Sequence, residues 1–386
     1  MSNHKIHILE KGFKKRHPYK KLRELLFSPY WFPVEYSRAQ IRDRGYEVHF
    51  FKDVSDALFD CDILILSSRT IDTIIATDSR YESRTAFCIE CKEKVPHLVW
   101  FDARDSAGNC QFDVLPIVDA YLKRSLYRDR SIYGKPLYYG REYTDYYHRE
   151  YNFIEPVETE KNPQCETEVL NDLSLVNKMH AAWGCGAEYH WPTYSKLDIV
   201  RYFGHAGLLK FSPNHIVEPV TRSPKAKRHV SFASLFDEKR YGVKTVGYQR
   251  KLGYDASAAL DIPNKIVGRV PRNDFYNTLA DAKVTVSVFG WGEICFREYE
   301  ATYCGSSILM ADMSNIETYP NFYQADKYYT PFKWDFSDFE EKLRYLLDHD
   351  DERIEIATAA QQFLMQQWTD DGRKAFADHF INIITK

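Results

Sequence analysis

The stretch GWGEICFREYEATYCGSSILM, residues 290–310, sets Glu293, Arg297, Glu298 and Glu300 beside an apolar run that reads as a buried strand. A carboxylate at a fixed place can accept both hydroxyls of a ribose. A guanidinium offers a planar pair of donors to a phosphate. Gly290 and Gly292 let the backbone approach a ligand closely. A helix beginning near Cys295 would turn its unpaired N–H groups and positive dipole end on the same loop, which suits an anion. Arg297 falls in the first turn of that helix, and Glu300 lies about one turn on, while Glu298 is expected to face solvent. The plainer alternative is an amphipathic surface helix whose Glu and Arg pair at i,i+3. Neither GxGxxG nor GxxxxGK[ST] occurs, which argues against a dinucleotide fingerprint and a P-loop.

These side chains need elements to position them. KIHILE (5–10) is a short apolar run fit for a strand, YEVHFF (46–51) a strand after a polar helix stopped by Gly45, and CDILILSS (61–68) and HLVWFDARD (97–105) are further strands, nearly continuous in apolar residues. Continuous rather than alternating hydrophobicity marks strands covered on both faces, hence a parallel sheet between helices. Residues 130–170 are irregular and Tyr-rich, and LNDLSLVNKMHAAWG and KLDIVRYFGHAG read as helices ending at glycine. The alternation then restarts. RHVSFAS, KIVGRV, KVTVSVFG and SSILMAD are strands separated by helices, and the chain is helical after them. The implied division is 1–210, a Pro-rich linker at 211–227, a second βα domain at 228–367, and a last helix at 368–386 placed to cross back to the first domain. In such open sheets ligands bind at the carboxyl ends of the strands.

A chain of 386 residues is long for one core, which agrees with two domains. The net charge of −3 gives no global attraction for nucleic acid or anionic lipid. The local exception is KGFKKRHPYKKLR (11–23), where seven cations could meet phosphates at a membrane surface, on a lipid-linked acceptor or on DNA, or simply form a solvated face. MSNHKIHILEKG lacks the apolar stretch of a signal peptide, and no run is long enough to span a bilayer, so a cytoplasmic protein, peripheral at the membrane through 11–23, is expected. Cys88-Ile-Glu-Cys91 is the one close cysteine pair, and reduced thiols are expected throughout.

DFYNTLADAKVTVSVFGWGEICFREYEATYCGSSILMAD resembles the donor-binding half of GT-B glycosyltransferases, in which a "Y…L..A" segment leads into a strand, a loop and an "EA.ACG" helix. It is most similar to the spore-maturation type, whose "R.FEA.A.G" form matches Arg297, Glu300, Ala301, Cys304 and Gly305. WTDDGRKAFADHFINII resembles the closing helix of the same group, and RDRGYEVHFF resembles its first "RGHEV" helix end. The resemblance implies two Rossmann-like domains facing a cleft, with C-terminal helices.

Residue by residue, it implies Glu300 on the ribose and Arg297 at the diphosphate. Arg240, Arg250 and Lys251 are the implied pyrophosphate clamps, and Gly268, Gly290 and Gly292 the backbone approaches. Many retaining members separate two glutamates by seven residues. The first of the pair lies near the donor sugar, which makes Glu293 a candidate catalytic carboxylate, but here Glu293 and Glu300 are separated by six, so stereochemistry stays open. Asp105, with Asp102 second, is the candidate base for the acceptor hydroxyl, though paired aspartates also cap helices. Ser68 and Arg69 are candidate acceptor contacts, and His190 and His205 read as packed helix-end histidines. The implied donor is a UDP- or GDP-sugar, and the acceptor a glycan or lipid-linked hydroxyl, with DNA as a further option. No metal or other cofactor is implied, because cationic side chains can hold the diphosphate. The competing class is a GT-B-like binding protein with a degraded site.

Overall fold

A computed structural model describes residues 4–11, 29–154, 168–184, 221–237 and 244–386. The first part runs β1 (His4–Leu9), α1 (Phe32–Tyr36), α2 (Arg38–Arg42), β2 (Tyr46–Phe51), β3 (Ile63–Ser67), α3 (Ser68–Thr77), α4 (Arg84–Lys94) and β4 (His97–Asp102). It continues with β5 (Ala120–Lys123), β6 (Ser125–Tyr127), α5 (Glu142–Tyr151) and β7 (Met179–Ala181). The second part runs β8 (Val230–Ser234), α6 (Lys244–Ala259), β9 (Ile266–Val267), α7 (Arg272–Asp281), β10 (Ala282–Ser287) and α8 (Phe296–Tyr303). It ends with β11 (Ser307–Ala311), β12 (Ile316–Thr318), β13 (Thr330–Phe332), α9 (Phe339–Asp348), α10 (Asp350–Gln366) and α11 (Asp370–Ile384).

Two parallel sheets follow from those apolar runs. The first has the order β2-β1-β3-β4-β5-β7, and the second β9-β8-β10-β11-β13. β3 and β11 are buried along their whole length, as strands covered on both faces must be. Both sheets share one winding, in which the strand order reverses beside the opening strand. The crevices at the carboxyl ends of β1/β3 and β8/β10 are therefore the topological switch points where such folds bind ligands. This is the GT-B arrangement of two Rossmann-like domains.

The two parts are stitched together. β12 pairs antiparallel with β6, aligning Ile316 with Tyr127, and Arg130 reaches Glu317 at 2.5 Å. Helix α11 lies on the first sheet, where Phe376, Phe380 and Ile384 join one apolar cluster with Ile8, Trp31, Phe101 and Trp183. Arg44 fixes its outer side through Asp378 at 2.5 Å, and Gln40 reaches Asp370 at 2.9 Å.

Several expectations require correction. LNDLSLVNKMHAAWG is not an α-helix: it forms a 3-10 segment, Leu173–Lys178, and then strand β7, which the exposed edge of β5 recruits. The Tyr-rich region contains α5, whose Tyr143 and Tyr147 are buried on one side. The chain after β11 is not purely helical, because β12 and β13 each satisfy a neighbouring strand's backbone. KLDIVRYFGHAG, the acidic stretch 156–167, and linker residues 211–220 lie outside the described residues.

Among the described residues no helix is long and apolar enough to cross a membrane, and no group of His, Cys, Asp or Glu could hold a metal ion. Cys88 and Cys91 are buried on α4, and burial pushes the Cys91 thiol up to about 12.

Phe380 is fully buried against Trp183 at a ring separation of 5.7 Å. Phe380→Ala should destabilise the protein by about 3–5 kcal/mol in urea unfolding. A loss under about 1 kcal/mol would mean that α11 does not complete this core.

Candidate active site at the β8/β10 crevice

Helix α8 begins immediately beyond the loop that follows β10. Its first turn is built around Glu298, which is fully buried and does not face solvent as the helical spacing suggested. The Glu298 carboxylate accepts from the Cys295 backbone amide at 2.7 Å, the N-cap side of a capping box. It also accepts a short bond from the Ser287 hydroxyl at the end of β10, and Tyr323 Oη approaches at 3.4 Å. Burial pushes this carboxyl up to about 7, against the opposing pull of the Arg297 charge and the donors from Ser287, Cys295 and Tyr323.

Arg297 is buried, donates from Nη1 to Ser287 Oγ at 3.1 Å, and sets its guanidinium 5.4 Å from the Phe236 ring centroid beyond β8. It thus occupies the switch point itself. Glu300 is half-buried one turn on, with Oε1 accepting from Tyr276 on α7 at 2.6 Å. The helix ends in a turn at Gly305, φ +72°, where a Cβ would lie 2.2 Å from the Arg222 carbonyl. A side chain cannot be accommodated there, which explains the CGSS sequence.

The loop 290–293 belongs structurally to both domains. Gly290 O accepts from Tyr143 at 2.7 Å, and Trp291 O from Arg141 Nε at 2.8 Å. Glu293 is buried, accepting from Ser106 Oγ at 2.8 Å and from the Ala107 amide at 3.0 Å. The expected close approach at Gly292 is made by protein rather than reserved for a ligand, since a Cβ there would stand 1.9 Å from the Asp105 carbonyl. Glu293 therefore holds the first domain, which is incompatible with a free catalytic carboxylate in this conformation.

Opposite this loop lie the carboxyl ends of β3, β4 and β5. Asp102 does not face the cleft: it is fully buried, accepting from Tyr121 Oη at 2.6 Å and from Lys123 Nζ at 2.9 Å. Burial alone would raise this carboxyl, but the Lys123 and Arg104 charges and the Tyr121 hydroxyl hold it below the usual range. It cannot serve as a base for an external hydroxyl. Ser68 is likewise buried, accepting from the Ala103 amide at 3.1 Å, and it ties β3 to β4 rather than contacting an acceptor. Asp105 is exposed on one side, with Arg69 at 3.5 Å and Arg124 at 3.8 Å. The two guanidiniums lie 4.9 Å and 5.0 Å from the Tyr30 ring centroid.

The clamp residues separate. Arg250 is buried on α6 and donates to Phe289 O at 3.0 Å, beside the loop. Lys251, about 100° further round the helix, turns outward and pairs with Asp255. Gly268, φ +96°, follows β9 and donates its amide to Ser234 O at 3.0 Å, at the carboxyl end of the neighbouring β8/β9 pair. Arg240, His190, His205 and residues 12–23 of the basic stretch lie outside the described residues.

Sequence reasoning missed Tyr276, Ser106, Arg141, Lys123 and Arg124. Tyr276 had a signal, because it stands at the Tyr of the quoted "Y…L..A" segment. Ser106 directly follows Asp105, but nothing in its type marks a partner across the cleft.

Residues 214–377 match the sequence profile of a family described as glycosyl transferase-like. No curated protein matches the chain. Among solved structures, it is similar to an alpha-glucosyltransferase in complex with UDP-glucose and DNA containing an abasic site (14% identity, 100% of both chains, TM-score 0.40). It is also similar to Anabaena Alr3699/HepE in complex with UDP-glucose (8% identity, 98% of this chain and 100% of that one, TM-score 0.40). A glycosyltransferase from Rickettsia africae is a third (8% identity, 100% of both chains, TM-score 0.40). The match is thus confined to residues 214–377, the second of the two parallel βα sheets and its helices.

The raised Glu298 carboxyl has a stability consequence with a definite sign. A group whose folded pKa of about 7 exceeds the ordinary 4.5 adds stability below 4.5, and that stability is lost as pH rises through 7. Glu298→Gln should therefore gain melting temperature relative to wild type as pH rises from about 5 to about 8. Parallel melting curves against pH for the two proteins would refute the assignment.

Proposed function

We propose that the chain binds a nucleotide-sugar in its second domain and transfers the sugar to a hydroxyl acceptor presented by the first. The observation that carries this is Arg297 and Glu300 on one helix at the β8/β10 switch point, inside the stretch that matches the glycosyl transferase-like family. Glu300, already oriented by Tyr276, accepts the ribose hydroxyls. Arg297 and the N–H groups opening α8 take the diphosphate, with Arg250 contributing from beneath the loop. The donor is a UDP- or GDP-sugar. In the transfer, the acceptor oxygen forms its bond to the anomeric carbon as the bond from that carbon to the diphosphate oxygen breaks. Asp105 takes the acceptor proton, and fixed cationic side chains stabilise the departing nucleoside diphosphate without a metal ion. The acceptor is a glycan or a lipid-linked hydroxyl, with DNA as the alternative class.

A second reading, a binding protein that has lost transfer, draws on Glu293, whose carboxylate is engaged by Ser106 and Ala107. The two readings part on turnover, not on nucleotide binding.

A thermal-shift panel of UDP, GDP, CMP and NAD should show stabilisation by one nucleoside diphosphate, abolished in Glu300→Ala. No shift with any of them at about millimolar concentration would sink the nucleotide-sugar reading. With the donor known, Asp105→Asn should retain nucleotide binding and lose about a hundredfold or more in turnover. Wild-type binding with no transfer to any acceptor would select the second reading.

A further inference from the structure

We propose that Glu298 is a positioning residue for the donor phosphates: its buried carboxylate orients the Ser287 hydroxyl, and that hydroxyl holds the Arg297 guanidinium. This rests on the reading of Arg297 as a diphosphate ligand.

The geometry forms a relay. Ser287 Oγ gives its single proton to Glu298 and accepts Arg297 Nη1 at 3.1 Å on a remaining lone pair. The other Glu298 oxygen is occupied by the Cys295 amide and approached by Tyr323 Oη. The groups facing the carboxylate are thus Arg297 on α8, Ser287 on β10, Cys295 in the preceding loop, and Tyr323 between β12 and β13. While Glu298 is ionised, the Ser287, Cys295 and Tyr323 donors each meet one of its oxygens. Once it is protonated, its O–H competes to donate to Ser287 Oγ, and the serine proton loses its acceptor. Arg297 then loses its fixed anchor. Because the carboxyl titrates near 7, the relay switches within the physiological range. Helix capping alone would explain Glu298 without Ser287, but it would not link the carboxylate to Arg297.

The test is calorimetric titration with UDP-glucose and GDP-mannose, whose diphosphodiesters keep a constant charge between about pH 6 and about pH 8. Wild type should bind one of them roughly fivefold to tenfold more weakly at the lower pH. Glu298→Gln, which mimics the protonated carboxyl, should bind weakly and equally at both. Ser287→Ala leaves the Glu298–Cys295 cap intact and keeps the measurement valid if Glu298→Gln folds poorly. It should show the same weakened, pH-independent binding. Variants that bind as wild type does at both pH values overturn the positioning role and leave the nucleotide-sugar reading standing. Failure of wild type to bind either probe overturns that reading and, with it, the relay.

Discussion

The Glu293 carboxylate, shared between the Ser106 hydroxyl and the Ala107 amide, is the contact on which the cleft depends. It is buried and accepts across a domain boundary, so both oxygens are desolvated and must be matched. Around it, Tyr143 and Arg141 hold the carbonyls of Gly290 and Trp291, and Gly292 admits the Asp105 backbone. The loop between β10 and α8 is consequently shaped by the other domain. Residues 290–293 and 105–107 form one hydrogen-bonded seam.

Electrostatics sorts the acidic groups near this seam by depth. Asp102 is sealed in with Lys123 and Tyr121, where a buried pair resists loss of either partner. Asp105, three residues on, keeps one side open between two arginines. Glu298 and Glu300, separated by one residue on a helix, divide in the same way: one anchors the helix inside, the other meets Tyr276 at the half-buried edge.

The strands that were legible in sequence are those enclosed on both faces, because burial writes itself as an unbroken apolar run. β3, β4 and β11 are of this kind, while β10, AKVTVS, alternates apolar with polar residues. β5 escaped because its end carries Lys123, whose charge suggests surface until Asp102 is seen beneath it. β7, β12 and β13 are three residues each, too short for any periodicity, and exist because a neighbouring edge needs pairing. Within the candidate site, the Arg297–Glu300 helix was legible from its motif. The inward turn of Glu298 was not, since an acidic residue at the third helical position suits both a solvated face and a capping box. Gly292 shows the same ambiguity: its sequence declares that something comes close, and only the fold says what.

Helix α11 seals the apolar face of the first sheet with residues from the far end of the polypeptide. The domain that begins with β1 is therefore discontinuous along the chain. During synthesis, the side of Trp183 that meets Phe376 and Phe380 stays uncovered until residues 370–384 emerge. The vectorial order of translation thus runs against the order of assembly. The amino-terminal half is the one that waits longest for its core, and is the more exposed to chaperones and to aggregation in the interval.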